Sequence, residues 1–122
     1  MTIRSIIPQL RTTDLEASLR FYADRLGCEV AFRYEDFYAG VRAGAQVFHL
    51  KRVDHRDPSI DEVARGEHFH LYFEVDDADA VARDLRARGV PLVREPERKP
   101  WGAKEFVVRD DQGHTLYFGQ AG

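Results

Sequence analysis

The chain has 122 residues, 43% hydrophobic and 32% charged, which suffices for one globular core and not for two independent ones. Its net charge of −3 comes from balanced halves (nine basic and nine acidic residues in 1–61, nine and twelve beyond), so no basic stripe exists to neutralise nucleic-acid phosphates. A single cysteine, Cys28, excludes an internal disulfide, and the lack of a basic-then-apolar leader or a long apolar run predicts a cytoplasmic chain with no membrane partner.

In chain order, 3–10 reads as a strand. Asp14 then caps a helix whose apolar residues Leu15, Leu19, Tyr22 and Leu26 recur at helical spacing and which Gly27 closes. Cys28 follows directly, and its position predicts a small core residue rather than a reactive thiol. Three short strands are expected at 28–34, 37–42 and 45–52, with Gly44 turning between the last two. Residues 53–66 are polar and aperiodic and read as a linker.

The pattern then repeats. Residues 68–75 alternate strictly, Asp76 or Asp77 caps a helix with the stripe Ala78, Val81, Ala82 and Leu85, and strands follow at 90–94, 104–109 and 114–119. The predicted architecture is α+β: two tandem βαβββ modules (about 1–53 and 67–122, joined by 54–66) in one domain, forming a curved mixed sheet that bears a cleft.

Strand alternation sorts the side chains. Phe69, Leu71, Phe73 and Val75 form the expected core face of their strand, opposite His68, His70, Tyr72 and Glu74. In the last strand Leu116 and Phe118 pack inward and leave Thr115, Tyr117 and Gly119 for the cleft. His49, His70, Tyr72 and Tyr117 thus give a polar, aromatic, titratable surface suited to ligand recognition. His55, His68 and His114 read as ordinary surface or turn histidines.

Ile6-Ile7-Pro8-Gln9-Leu10, the run from Asp14 through Phe21-Tyr22-Ala23-Asp24-Arg25-Leu26-Gly27, Asp36-Phe37-Tyr38-Ala39-Gly40-Val41, and Pro100 through Asp110 carry a resemblance to the vicinal oxygen chelate superfamily. The superfamily includes glyoxalase I, extradiol dioxygenases and bleomycin-resistance proteins, and the chain resembles the last branch most. Superfamily enzymes bind a divalent metal at positions that correspond to Ile7, His49, His70 and Tyr117, of which only the histidines match a ligand type. The resemblance therefore implies no catalytic residue and no cofactor. It points to a homodimer that sequesters bleomycin-like antibiotics or a related aromatic, cationic small molecule, with Pro8 at an exchanged N-terminal arm. Phe37, Tyr38 and Trp101 then line the groove with His49, His70, Tyr72 and Tyr117, and Glu35, Asp36 and Glu74 supply charge for a cationic ligand. The alternatives are a metal-dependent lyase or dioxygenase using His49 and His70, and a metal-free enzyme with a histidine base and Tyr72 or Tyr117 as acid.

Overall fold

The computed structural model describes all 122 residues and divides them into two units, Met1–Asp57 and Pro58–Gly122. In the N-terminal unit, β1 (Gln9–Thr12) leads to α1 (Leu15–Arg20), which widens into a π-helical turn over Phe21–Arg25, followed by β2 (Glu29–Tyr34), β3 (Tyr38–Ala43) and β4 (Gln46–Arg52). The C-terminal unit opens with α2 (Ser59–Arg65), then β5 (Leu71–Glu74), α3 (Ala78–Ala87), β6 (Arg94–Arg98), β7 (Lys104–Arg109) and β8 (Thr115–Gln120). Each unit holds its own four-stranded mixed sheet, ordered β1-β4-β3-β2 and β5-β8-β7-β6. The first strand of each lies parallel to the last and the rest run antiparallel. The tandem α+β organisation is therefore present, as two separate sheets.

The repeat is built from the same local chemistry twice. The Asp14 carboxylate accepts the Ala17 N–H at 3.0 Å and the Asp77 carboxylate accepts that of Ala80 at 3.1 Å, so each helix start satisfies one of its orphan donors. Each helix region then stops at a glycine in the left-handed region, Gly27 (φ 73°) and Gly89 (φ 85°), where a side chain would be strained. The helices bury Leu15 and Leu19 in one unit and Ala78, Ala82 and Leu85 in the other, against sheet faces carrying Val41, Phe48 and Leu50, and Phe106, Leu116 and Phe118.

Four elements differ from the sequence reading. Strand β1 starts at Gln9 and not near residue 3; Ile3 and Ile6 project into solvent, because no strand of the chain pairs with that segment. Within the expected linker lies α2, a short helix anchored by one buried side chain, Ile60, too few to create a visible period. The strand expected at 90–94 begins only at Arg94, since Val90 is buried in closing α3 (its N–H donates to Leu85 at 2.9 Å) and Pro91 interrupts. Lastly, β2 carries a bulge between Val30 and Phe32, so that Val30 pairs with core-facing Val41 and Phe32 with Gly40 on the opposite face.

Candidate functional site

In each unit the sheet face turned away from the core carries an aromatic and polar cluster. In the N-terminal unit the register places Phe32, Gly40, His49 and Gln9 in one row, and Tyr34, Tyr38, Lys51 and Arg11 in the next. A β-carbon at position 40 would collide with the Phe32 ring, so the glycine is what lets Phe32 lie flat across β3. Phe32 and Tyr38 are nearly parallel (15°, centroids 6.4 Å apart), and the His49 ring stands edge-on to both at 5.2 Å. Gln9 Nε2 donates to the Tyr38 hydroxyl at 3.0 Å, and that hydroxyl lies 3.0 Å from His49 Nδ1. Phe37 touches Tyr38 (6.2 Å), and Lys51 Nζ sits 5.9 Å from the centre of its ring. Phe32, Tyr34 and Phe37 are 44%, 61% and 45% exposed.

The C-terminal unit uses the same device with different chemistry. Tyr72 pairs with Tyr117, and its ring leans over Gly119, where a β-carbon would meet the phenol oxygen. The hydroxyl thereby reaches the buried Glu105 carboxylate and donates to it at 2.9 Å. Burial, then the bond to Glu105 and the negative charge of Glu105 and Glu74, pushes the Tyr72 phenol up to about 12. Phe69 completes the cluster, 5.5 Å from Tyr72 and 5.2 Å from Tyr117, whose hydroxyl donates to the Glu67 carbonyl at 3.0 Å.

A prediction follows from Tyr72. Its carbon resonances, followed by NMR, are expected to titrate with a midpoint near 12, against about 10 for an ordinary tyrosine. Because the folded value is raised, the associated stability is fully present below about pH 10 and disappears as pH rises through about 12. Glu105→Gln should move the midpoint back toward the ordinary value; no movement would detach Tyr72 from that carboxylate.

The predicted site residues separate into groups. Phe37, Tyr38 and His49 come together in the N-terminal unit, and Tyr72 and Tyr117 in the C-terminal one. His70 is tied into the backbone: its Nδ1 accepts the Thr115 N–H at 3.1 Å, which leaves Nε2 to donate to Ser59 Oγ at 3.1 Å. Trp101, on the turn between β6 and β7, is 70% exposed and contacts no other ring of the chain. Pro8 lies exposed just before β1, its carbonyl accepting the His49 N–H at 2.8 Å. Asp36 is paired with Arg33 (3.3 Å), which also binds Glu16 (2.6 Å), and so is committed elsewhere. Cys28 behaves as expected of an inert thiol, pushed up to about 11 by burial.

Three expectations are corrected. Phe69, expected in the core, is 48% exposed beside Tyr72 and Tyr117, because the chain enters β5 only at Leu71. Thr115, expected toward the cleft, is buried. His114, expected at the surface, is fully buried and bonded through Nδ1 to Asp110 at 2.8 Å. Among the site residues that the sequence reading did not select are Phe32, Tyr34 and Gln9. The isolated glycine within a strand pattern, Gly40, is the signal that marks a ring lying close to the backbone there.

The donor set does not fit a catalytic metal. Ile7 offers no ligand atom, the Tyr117 hydroxyl is given to a carbonyl, and both His70 nitrogens are engaged, so His49 alone remains of the four family positions. Within neither unit do three His, Cys, Asp or Glu side chains gather as a metal ion needs. No helix of the chain is long and apolar enough to cross a membrane.

The family model described as the glyoxalase/bleomycin resistance protein/dioxygenase superfamily matches residues 4–118. The chain belongs to this superfamily. Among its solved structures, the bleomycin-binding protein of Streptomyces verticillus, in complex with copper(II)-bleomycin, superposes with a TM-score of 0.75 at 27% identity, over 100% of this chain and 98% of that one. A lactoylglutathione lyase from Agrobacterium tumefaciens shares the fold (TM-score 0.72, 21% identity, 98% and 95% covered). So does a superfamily protein from Alicyclobacillus acidocaldarius (0.79, 20%, 97% and 91%). Sequence similarity also reaches CFP32 of Mycobacterium tuberculosis, which carries a provisional glyoxylase name, at 44% identity over 46 residues. That match spans 38% of this chain and only 18% of the relative's length.

Proposed function

We propose that the chain is a small-molecule-binding protein of the bleomycin-resistance type: a cytoplasmic homodimer that sequesters bleomycin-like antibiotics or a related aromatic, cationic compound, without a metal cofactor and without chemistry. The observation that carries this reading is the uncovered aromatic surface of the N-terminal sheet, where Phe32, Tyr34 and Phe37 stay half exposed around Tyr38 and His49. Large flat rings beside a few fixed polar atoms suit capture of an aromatic ligand. The C-terminal sheet has its own aromatic cluster, and there Glu74 and Glu105 flank Gly119 and give that face a negative charge suited to a cationic group. The metal misfit and the engaged His70 support binding over catalysis. Exposed Ile3, Ile6 and Ile7 support an assembly in which a second copy covers that segment.

The test is calorimetric titration with metal-free bleomycin at two salt concentrations, with Trp101 emission read in parallel. Saturable binding that weakens with added salt is expected, and sedimentation velocity should give a two-chain species. The absence of both heat and quenching at either salt level would eliminate the antibiotic as ligand.

A further inference from the structure

The polar atoms around the N-terminal aromatic surface are unevenly used. Gln9 Nε2 donates to the Tyr38 oxygen, so the phenol's own hydrogen is available for its second neighbour, His49 Nδ1, 3.0 Å away. An imidazole that accepts at Nδ1 carries its proton on Nε2. His49 Nε2–H makes no hydrogen bond within the chain, and it belongs to a ring set edge-on against Phe32 and Tyr38. In the next row the Lys51 ammonium lies over Phe37 and joins no ion pair.

Neither row carries a carboxylate, and carboxylates on the flanking segments include Glu29, paired with Arg42 (3.8 Å), Glu16 and Asp36, paired with Arg33, and Asp57, paired with Arg11 (3.5 Å). The two rows therefore present unused donors, His49 Nε2–H and the Lys51 ammonium, among aromatic rings. The charged side chains of the two rows, Lys51 and Arg11, are both cationic, so an accepting edge is favoured over a cationic one.

We propose that the Gln9–Tyr38–His49 relay makes this face a subsite for a planar aromatic group bearing an in-plane hydrogen-bond acceptor, received by His49 Nε2–H, with Lys51 favouring an anionic acceptor. The inference rests on the binding reading above and specifies which part of the ligand this face takes. A ring nitrogen, a carbonyl and a carboxylate share the required chemistry.

Three bicyclic probes distinguish the sources: quinoline (neutral acceptor), 2-naphthoate (anionic acceptor) and 2-naphthylmethylammonium (donor), titrated against the full chain by NMR. The His49 signals are identified from their loss in His49→Phe. In the free protein, long-range proton–nitrogen correlations should show His49 as the Nε2–H tautomer, and Tyr38→Phe should shift that balance. Quinoline and 2-naphthoate are expected to perturb His49 and to bind about tenfold more tightly than the ammonium probe, the worth of one net hydrogen bond. His49→Phe should remove the advantage of quinoline over the ammonium probe, and Lys51→Met should remove the advantage of 2-naphthoate over quinoline. An Nδ1–H tautomer in the free protein, equal binding of the ammonium probe, or no saturable shift from any probe would each overturn the proposal. The probes do not depend on bleomycin, so a failed antibiotic titration with an intact acceptor preference would reject the drug and keep the subsite; the reverse pattern would reject the subsite alone.

Discussion

Asp110→Ala is expected to destabilise the fold by about 3–5 kcal/mol, the cost of removing one partner from a buried charge-assisted network. Asp110 is the hub of the turn between β7 and β8. One carboxylate oxygen accepts the N–H groups of Gln112 (3.0 Å), Gly113 (3.0 Å) and His114 (2.8 Å), and the other accepts His114 Nδ1–H at 2.8 Å. Both side chains of the pair are 1% exposed, so water cannot replace the lost acceptor. The consequence spreads because His114 immediately precedes β8, the strand between β5 and β7, and packs 4.8 Å from His70, which holds the start of β8 through Thr115. Urea denaturation followed by circular dichroism gives the loss directly. Asp110→Asn keeps the volume and one acceptor oxygen but sets an amide against the imidazole, and is expected to cost about 2 kcal/mol, near the penalty for one unsatisfied buried partner. A loss below about 1 kcal/mol for alanine, the scale of an exposed pair, would remove Asp110 from this role.

Much of this architecture is local chemistry, and local chemistry is legible. Asp14 and Asp77 are caps because their carboxylates reach an N–H three residues on, and Gly27 and Gly89 are stops because the chain turns left-handed there; neither fact depends on the rest of the fold. Alternation likewise separated His49 and Lys51 from Phe48 and Leu50, since side chains of a regular strand must take opposite faces. What escaped depends on partners distant in sequence. Phe32 faces the site only because a bulge shifts the pairing of β2 on β3 and because Gly40 leaves space across the strand. Buried His114 is tolerable only because Asp110 is already positioned by three backbone donors. The α2 helix has a single apolar anchor, so periodicity is silent there; Pro58, immediately before its first residue, is the signal that could have marked it. Glu67, at φ 57° just past α2, holds a strained conformation that no sequence pattern announces, and its carbonyl is the group that takes the Tyr117 hydroxyl.

Phe32→Ala should separate ligand capture from folding more cleanly than any other single change. The ring is 44% exposed and rests on Gly40, so its removal opens no closed cavity and should cost the fold no more than about 1 kcal/mol. Its open side is the apolar surface a planar ligand would cover. Burying roughly 80 Å² there at about 25 cal/mol/Å² is worth about 2 kcal/mol, a loss of roughly 30-fold in affinity once the ring is gone. Gly40→Ala reaches the same end by another route: the added methyl cannot share space with the ring, so Phe32 must swing off β3 while remaining in the sequence. Both variants are expected to weaken binding of bleomycin, or of 2-naphthoate in its absence, with urea midpoints close to wild type. The His49 tautomer provides the internal control, because Gln9 and Tyr38 set it without help from Phe32. If affinity stays within about twofold in Phe32→Ala, inside the range of a residue that makes no energetic contact, the ligand does not lie on this face. The C-terminal cluster of Phe69, Tyr72 and Tyr117 would then be the surface to alter.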